Sequence, residues 1–326
     1  MNTTQYATQN TTPFDQILTQ SPNMQNVIEQ AKKFALLNAP LLIEGETGTG
    51  KDLLAKACHQ FSHRAEQKFI AVNCAGLPEE EAETEMFGHR GTLNESVGFF
   101  EYANGGTVLL DAVSELSLEM QAKLLRFLND GSFRRVGEDQ ERKVDIRVIC
   151  TSQKPLNQLV AEGKVREDLY YRLNVLTLKL PPLRERLGDL PLLVEHFVSE
   201  ISNQLGFSKL EYDHAFLNAL SLYSWGGNLR ELHNVLYRAC TLSHRYRLFV
   251  KDLNLPNTTL NMAEVATHLP ETGTLDEMMA RYEAELLRKF YAEYPSTRNS
   301  PNGLAFHTPL SPINCVRMES TANRMG

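Results

Sequence analysis

The run Gly45-Glu46-Thr47-Gly48-Thr49-Gly50-Lys51-Asp52 sets the terms for the rest of the chain. It follows an apolar stretch, Leu41-Leu42-Ile43, and precedes a helix-like segment, Leu53-Leu54-Ala55-Lys56-Ala57. Gly45, Gly48 and Gly50 let the backbone turn tightly and aim its N–H groups inward. A helix N-terminus behind them adds a positive dipole end, and Lys51 supplies a point charge for outer phosphates. The plain alternative is a glycine-rich turn with no ligand. Strand, loop and helix in this order favour a phosphate-binding loop. The general motif places Ser or Thr after the lysine, to reach Mg²⁺, whereas position 52 is Asp.

Strand-like runs recur around this loop. Phe69–Val72, Thr107–Leu110, Asp145–Thr151 and Val175–Leu180 are short, and helical patterns separate them. Ser21-Pro22 opens an amphipathic helix carrying Met24, Val27, Ile28, Ala31 and Phe34. An acidic helix is expected over Glu79–Met86 and another over Leu116–Leu128, with a polar stretch from Gly88 to Gly98 between them. Strands alternating with helices predict a parallel α/β sheet covered on both faces. The expected organisation is a flexible leader over 1–20, an α/β subdomain over 21–182 and a helical subdomain over 183–249. A linker over 250–273 follows, then the start of a further helical module over 274–298. From 299 to 326 the helical period is lost, and Pro301, Gly303, Pro309 and Pro312 read as an aberrant or disordered tail.

At 326 residues the chain has room for one or two domains, and its net charge of −7 argues against wholesale attraction to nucleic acid. Cys58, Cys74, Cys150, Cys240 and Cys315 form no CxxC pair, so buried free thiols in a reducing cytoplasm are expected. No apolar run is long enough to cross a bilayer as a helix. His59 and His63 are four residues apart but lack a third ligand, so a metal site there is not expected. Trp225, the single tryptophan, reads as a packing residue.

Asp111, at the end of a strand, is placed to hold Mg²⁺ beside the phosphates; its alternative role is to cap the next helix. A hydrolytic site of this kind needs a further carboxylate to polarise water, yet position 112 is Ala. Glu115, one turn on, reads as a solvated residue. Nucleotide binding is therefore expected, with weak hydrolysis or none. On spacing alone Arg166, Arg172 and Arg230 would be surface arginines.

Several stretches together resemble one family. Gly45–Asp52 is similar to its GExGTGKE loop, Glu85–His89 to its ELFGH segment and Gly105–Asp111 to its GGTLFLDE strand. Arg166–Val175 matches REDLYYRLNV, and Trp225–Leu232 resembles WPGNVREL with Gly226 in place of Pro. The chain thus resembles the AAA+ domains of sigma-54-interacting regulators. That implies an AAA+ P-loop sheet sandwiched by helices, then a helical lid and a C-terminal helical segment. It implies ATP and Mg as cofactors, bound by Gly45, Glu46, Thr47, Gly48, Thr49, Gly50, Lys51, Asp52 and Asp111, with Asp111 reaching the metal through the nucleotide. Arg166 and Arg172 would reach a neighbouring subunit's nucleotide, and Arg230 would be the lid's sensor arginine. Asp52 is normal for the family, and Gln153 stands where a sensor Asn is usual.

Two departures matter. Arg90–Val97 is short and lacks the GAFTGA loop that touches sigma-54, and Ala112 replaces the usual Glu. Leu124–Glu138, Val148–Lys154 and Glu293–Arg298 resemble a branch that regulates aromatic amino-acid genes, mostly as a repressor. The resemblance implies tyrosine as effector, self-association to a dimer and higher oligomer, contact with RNA polymerase, and operator DNA bound through a C-terminal helix-turn-helix. That module is not visible after Arg298. The alternatives are an ATP-hydrolysing remodeller or a sigma-54-type activator, and more distantly a small-molecule kinase.

Overall fold

Successive side chains of a strand point to opposite faces, so a strand that is apolar throughout must be covered on both. The sheet here is built that way. The computed structural model describes residues 12–91, 95–206, 210–243 and 247–255. Its main strands are β1 (Leu41–Glu44), β2 (Phe69–Asn73), β3 (Thr107–Asp111), β4 (Arg147–Ser152) and β5 (Leu176–Lys179). They form one parallel sheet in the order β2-β3-β4-β1-β5. The longer helices are α1 (Pro22–Ala35), α2 (Lys51–Gln60), α3 (Glu79–Phe87), α4 (Leu118–Asp130) and α5 (Glu167–Leu173). Three more follow, α6 (Leu190–Leu205), α7 (His214–Ser221) and α8 (Asn228–Leu242).

Alternation along the strands divides the core. Leu42, Val108, Leu110, Val148 and Cys150 meet Leu124 and Phe127 of α4 and Leu169 and Leu173 of α5. Leu41, Ile43, Leu109, Ile149 and Leu178 point the other way, onto Ala31 of α1 and Leu54 and Cys58 of α2. A separate apolar cluster holds α6, α7 and α8 together around Trp225, Phe216, Val198 and Leu236. Trp225 is fully buried and its indole N–H donates to the Leu220 carbonyl at 2.8 Å, which satisfies its one polar group. Leu253 belongs to this cluster, so the packing extends slightly past the expected boundary at 249.

The thiols of Cys58, Cys74, Cys150 and Cys240 are free and buried, as expected. Burial pushes Cys58 and Cys74 up to about 12, which leaves them inert as nucleophiles at neutral pH. His59 is committed to the core, its Nδ1 at 2.9 Å from the Thr107 hydroxyl. The polar stretch after Gly88 is a hairpin, Gly88–Arg90 paired antiparallel with Glu95–Val97. Ion pairs tie it down: buried Arg135 to Glu95 and Glu101, and Arg90 to Glu138.

The leader expected to be flexible over 1–20 is anchored from Thr12 onward. Phe14 is buried and meets Phe61 edge-on. Asp189, fully buried, accepts hydrogen bonds from the Thr19 hydroxyl (2.8 Å), Gln20 N–H (2.6 Å) and Ser21 N–H (2.9 Å). Polar composition had suggested disorder, but a single aromatic and one distant carboxylate supply the anchorage. The expected linker beyond 255, the helix Leu275–Tyr291, the tail and Cys315 lie outside the described residues.

Asp189 also faces the buried Arg186 guanidinium at 4.0 Å. Asp189→Ala strands that cation together with the donors of Thr19, Gln20 and Ser21. We expect a loss of about 3–5 kcal/mol in urea unfolding, the range for breaking a buried ion pair.

Candidate functional site

In an open parallel sheet, function gathers at the carboxyl ends of the strands. The loop after β1 turns through Gly48 (φ 77°) and Gly50 (φ 101°), left-handed conformations that glycine adopts without strain. Gly50 caps α2, whose first amides have no acceptor within the helix and so present N–H groups to an anion. Lys51 is buried and its Nζ donates to the carbonyls of Gly45 (2.8 Å) and Glu46 (3.0 Å). Burial pulls its pKa down, while Asp111 and Asp52 oppose that pull.

Strand register places Asp111 beside Thr151, one residue past the Leu110–Cys150 pair. The Thr151 hydroxyl donates to Asp111 Oδ1 and accepts the Ala112 N–H at 2.9 Å. One side chain thus aims the carboxylate and fixes the backbone that follows. The Asp52 carboxyl is raised, first by desolvation and then by the nearby Asp111. A cavity of about 170 Å³ opens between these groups, lined by Thr47, Gly48, Gly50, Lys51, Asp52, Asp111, Gln153 and Arg230. Donors on one side and two carboxylates on the other match a polyphosphate carrying a divalent cation.

Ala112 holds a left-handed backbone (φ 57°, ψ 53°) and is buried, so its methyl group can neither orient nor deprotonate water. Glu115 is exposed and lies outside the cavity lining, as expected of a solvated residue. Asp111 caps no helix: the turn after it begins from Ala112, and its carboxylate is turned to Thr151.

Other expected residues serve the loop's shape. Gly45 packs against Leu180, and the Thr49 hydroxyl donates to the Glu46 carbonyl at 2.8 Å. Arg166 is exposed and paired with Asp168 at 2.7 Å, away from its own chain's cavity. Arg172 sits at the other end of the sheet, donating to the Leu128 carbonyl at 2.6 Å. Neither arginine lines the nucleotide cavity of its own chain.

The sequence reading missed a clasp between loop and lid. Arg184 grips Glu46 with two hydrogen bonds of 2.8 and 2.6 Å, which hold the carboxyl below its usual range. Asn228 is wholly buried in a left-handed backbone (φ 52°). Its amide nitrogen donates to the Thr47 carbonyl (3.0 Å) and to Glu46 Oε2 (3.2 Å), and its oxygen accepts Leu183 N–H (2.7 Å). The Leu229 N–H adds a 2.9 Å bond to the Gly48 carbonyl, and Arg186 donates to the Thr49 carbonyl at 3.1 Å. A Cβ on Gly48 would stand 2.2 Å from the Gly227 oxygen, so only glycine permits this approach. Asn228 lay inside the recognised Trp225–Leu232 run, but its partners are remote in sequence.

A P-loop joined this way to a helical lid defines an AAA+ nucleotide-binding module. Residues 17–179 match the Sigma-54 interaction domain and residues 184–269 the AAA+ ATPase lid domain. The chain belongs to the sigma-54-interaction family of AAA+ regulators. It is 55% identical over 300 residues to the HTH-type transcriptional regulatory protein TyrR of Haemophilus influenzae, covering 92% of this chain and 94% of that protein. TyrR of Salmonella typhimurium is 49% identical over 306 residues, which cover 94% of this chain but 59% of that protein. NtrX from Brucella abortus, solved in complex with ATP, is 33% identical with a TM-score of 0.69 over 85% of this chain and 63% of that one.

Asn228→Ala tests the clasp. It leaves the Leu183 N–H without an acceptor and removes the carboxamide that makes a left-handed backbone tolerable at this position. The expected outcome is a loss of about 2–4 kcal/mol in thermal or urea unfolding, with faster proteolysis of the lid.

Proposed function

We propose that this chain is the ATP-sensing part of a transcriptional regulator, mainly a repressor, of aromatic amino-acid biosynthesis and transport genes. Bound ATP with Mg, and tyrosine as effector, set how copies associate. One observation carries the reading: Lys51, Asp111 and Arg230 line the cavity, while the residue after Asp111, where a base would be needed, is Ala112. Such a site holds a nucleotide without consuming it quickly. The TyrR relatives support a transcriptional regulator; the regulon and the effector rest on the resemblance of Leu124–Glu138, Val148–Lys154 and Glu293–Arg298. In this scheme Arg166 and Arg172 complete a neighbour's site, neither of them lining the cavity of its own chain. Operator DNA is the partner of a helix-turn-helix that begins in residues 274–298 and is lost or altered after Arg298, and the protein acts with RNA polymerase without sigma-54 activation.

Sedimentation tests the assembly step. Mass is expected to rise with ATP, rise further with tyrosine, and stay at the nucleotide-free value in Lys51→Ala. Equal mass in every condition would sink the proposal. Operator binding is measured on the chain as it stands and on one with a helix-turn-helix restored after Arg298. Failure of both would remove the DNA-binding part.

The rival is an ATP-consuming remodeller, a reading kept alive by the intact P-loop and lid. Steady-state hydrolysis separates the two. Slow turnover is expected here, with Ala112→Glu raising it on the order of a hundredfold, the typical worth of a general base. Rapid wild-type turnover abolished by Lys51→Ala would favour the rival.

A further inference from the structure

Strand register sets two polar residues side by side where β3 and β4 end. Leu109 and Ile149 lie opposite each other and face α1 and α2. Two residues on, the same alternation sends Asp111 and Thr151 to that face, where Asp111 shares the nucleotide cavity with Lys51 and Asp52 of α2. Every residue of β4 is buried, and Thr151 wholly so. A buried hydroxyl must find partners. This one donates to Asp111 Oδ1 and accepts the Ala112 N–H. Among the described residues, no other hydrogen bond reaches the Asp111 carboxylate. One of its oxygens is thus committed to the neighbouring strand, and the other is left for the cavity. Valine would fill the same space and do neither.

We propose that Thr151 is a positioning residue for the metal that accompanies the nucleotide, and that its hydroxyl sets a preference for Mg²⁺ over Ca²⁺. The inference rests on the ATP and Mg reading above. Mg²⁺ demands near-ideal octahedral geometry, keeps several waters and is bound through one or two carboxylates. A carboxylate held at one angle, with a single free oxygen, suits it. Ca²⁺ takes more ligands in looser geometry, among them both oxygens of one carboxylate. A hydroxyl that holds one of those oxygens works against that mode.

ATP affinity of the full chain is measured by calorimetry in Mg²⁺, in Ca²⁺ and in EDTA, for the wild type, Thr151→Val and Thr151→Ser. The wild type is expected to bind ATP more tightly with Mg²⁺ than with Ca²⁺. Thr151→Val should weaken binding in Mg²⁺ about tenfold, the scale of one hydrogen bond to a charged group. It should weaken binding less in Ca²⁺ and leave the EDTA value unchanged. Thr151→Ser keeps both hydrogen bonds and should keep the preference. A purely structural role would lower all three affinities together. The proposal is overturned by equal wild-type affinity in Mg²⁺ and Ca²⁺, by a parallel loss in all three conditions in Thr151→Val, or by loss of the preference in Thr151→Ser. The wild-type and serine measurements decide the matter even where the valine variant does not fold. ATP binding in no condition would overturn the nucleotide reading itself, and this inference with it.

Discussion

The carboxamide of Asn228 is the contact on which the arrangement of loop and lid depends. Three elements converge on it: the P-loop through Thr47 and Glu46, the start of the helical part through Leu183, and the turn that opens α8. An amide can donate and accept at once, and asparagine accepts a left-handed backbone with little strain. Trp225 also has positive φ, and for a bulky residue that costs on the order of 1–2 kcal/mol. The buried indole and the satisfied amide offset it. Movement of the lid therefore reaches the phosphate-binding backbone directly, through bonds to Thr47, Gly48 and Thr49.

Much of this was readable beforehand, for physical reasons. Apolar runs such as Thr107–Leu110 announce buried parallel strands, and the glycine spacing of the P-loop admits few backbones. Lys51, Asp111 and Arg230 do meet at one cavity. Less visible were interactions between residues far apart in the chain. Glu46 read as part of a phosphate loop, yet its carboxylate serves Arg184, 138 positions away. The anchoring of residues 12–20 escaped notice because neither Thr19 nor Gln20 signals a partner, and Asp189 reads as an ordinary charged residue. Arg172 carried a recognised pattern, but only the fold shows which end of the sheet it occupies.

At the nucleotide cavity, backbone shape and side-chain chemistry are uncoupled. Ala112 has the left-handed conformation that a non-glycine residue adopts only under constraint, and two bonds impose it. Its N–H is held by Thr151, and its carbonyl accepts the Glu115 N–H at 2.9 Å. The turn at the end of β3 is thus fixed by neighbours, whatever side chain it carries.

The carboxylate of Asp189 bears on how the chain is made. It holds Ser21, 168 residues earlier, so this segment finds its partner only after all five strands of the main sheet have emerged. At ribosomal rates of ~5–20 residues per second, that interval is on the order of ten to thirty seconds. Through that period α1 has its apolar stripe but lacks the bonds that fix its entry. Closing so long a loop costs little more entropy than closing a shorter one, since the penalty grows only logarithmically. What the arrangement sets is sequence in time: the segment at Thr19–Ser21 is held only after every strand of the main sheet has been made.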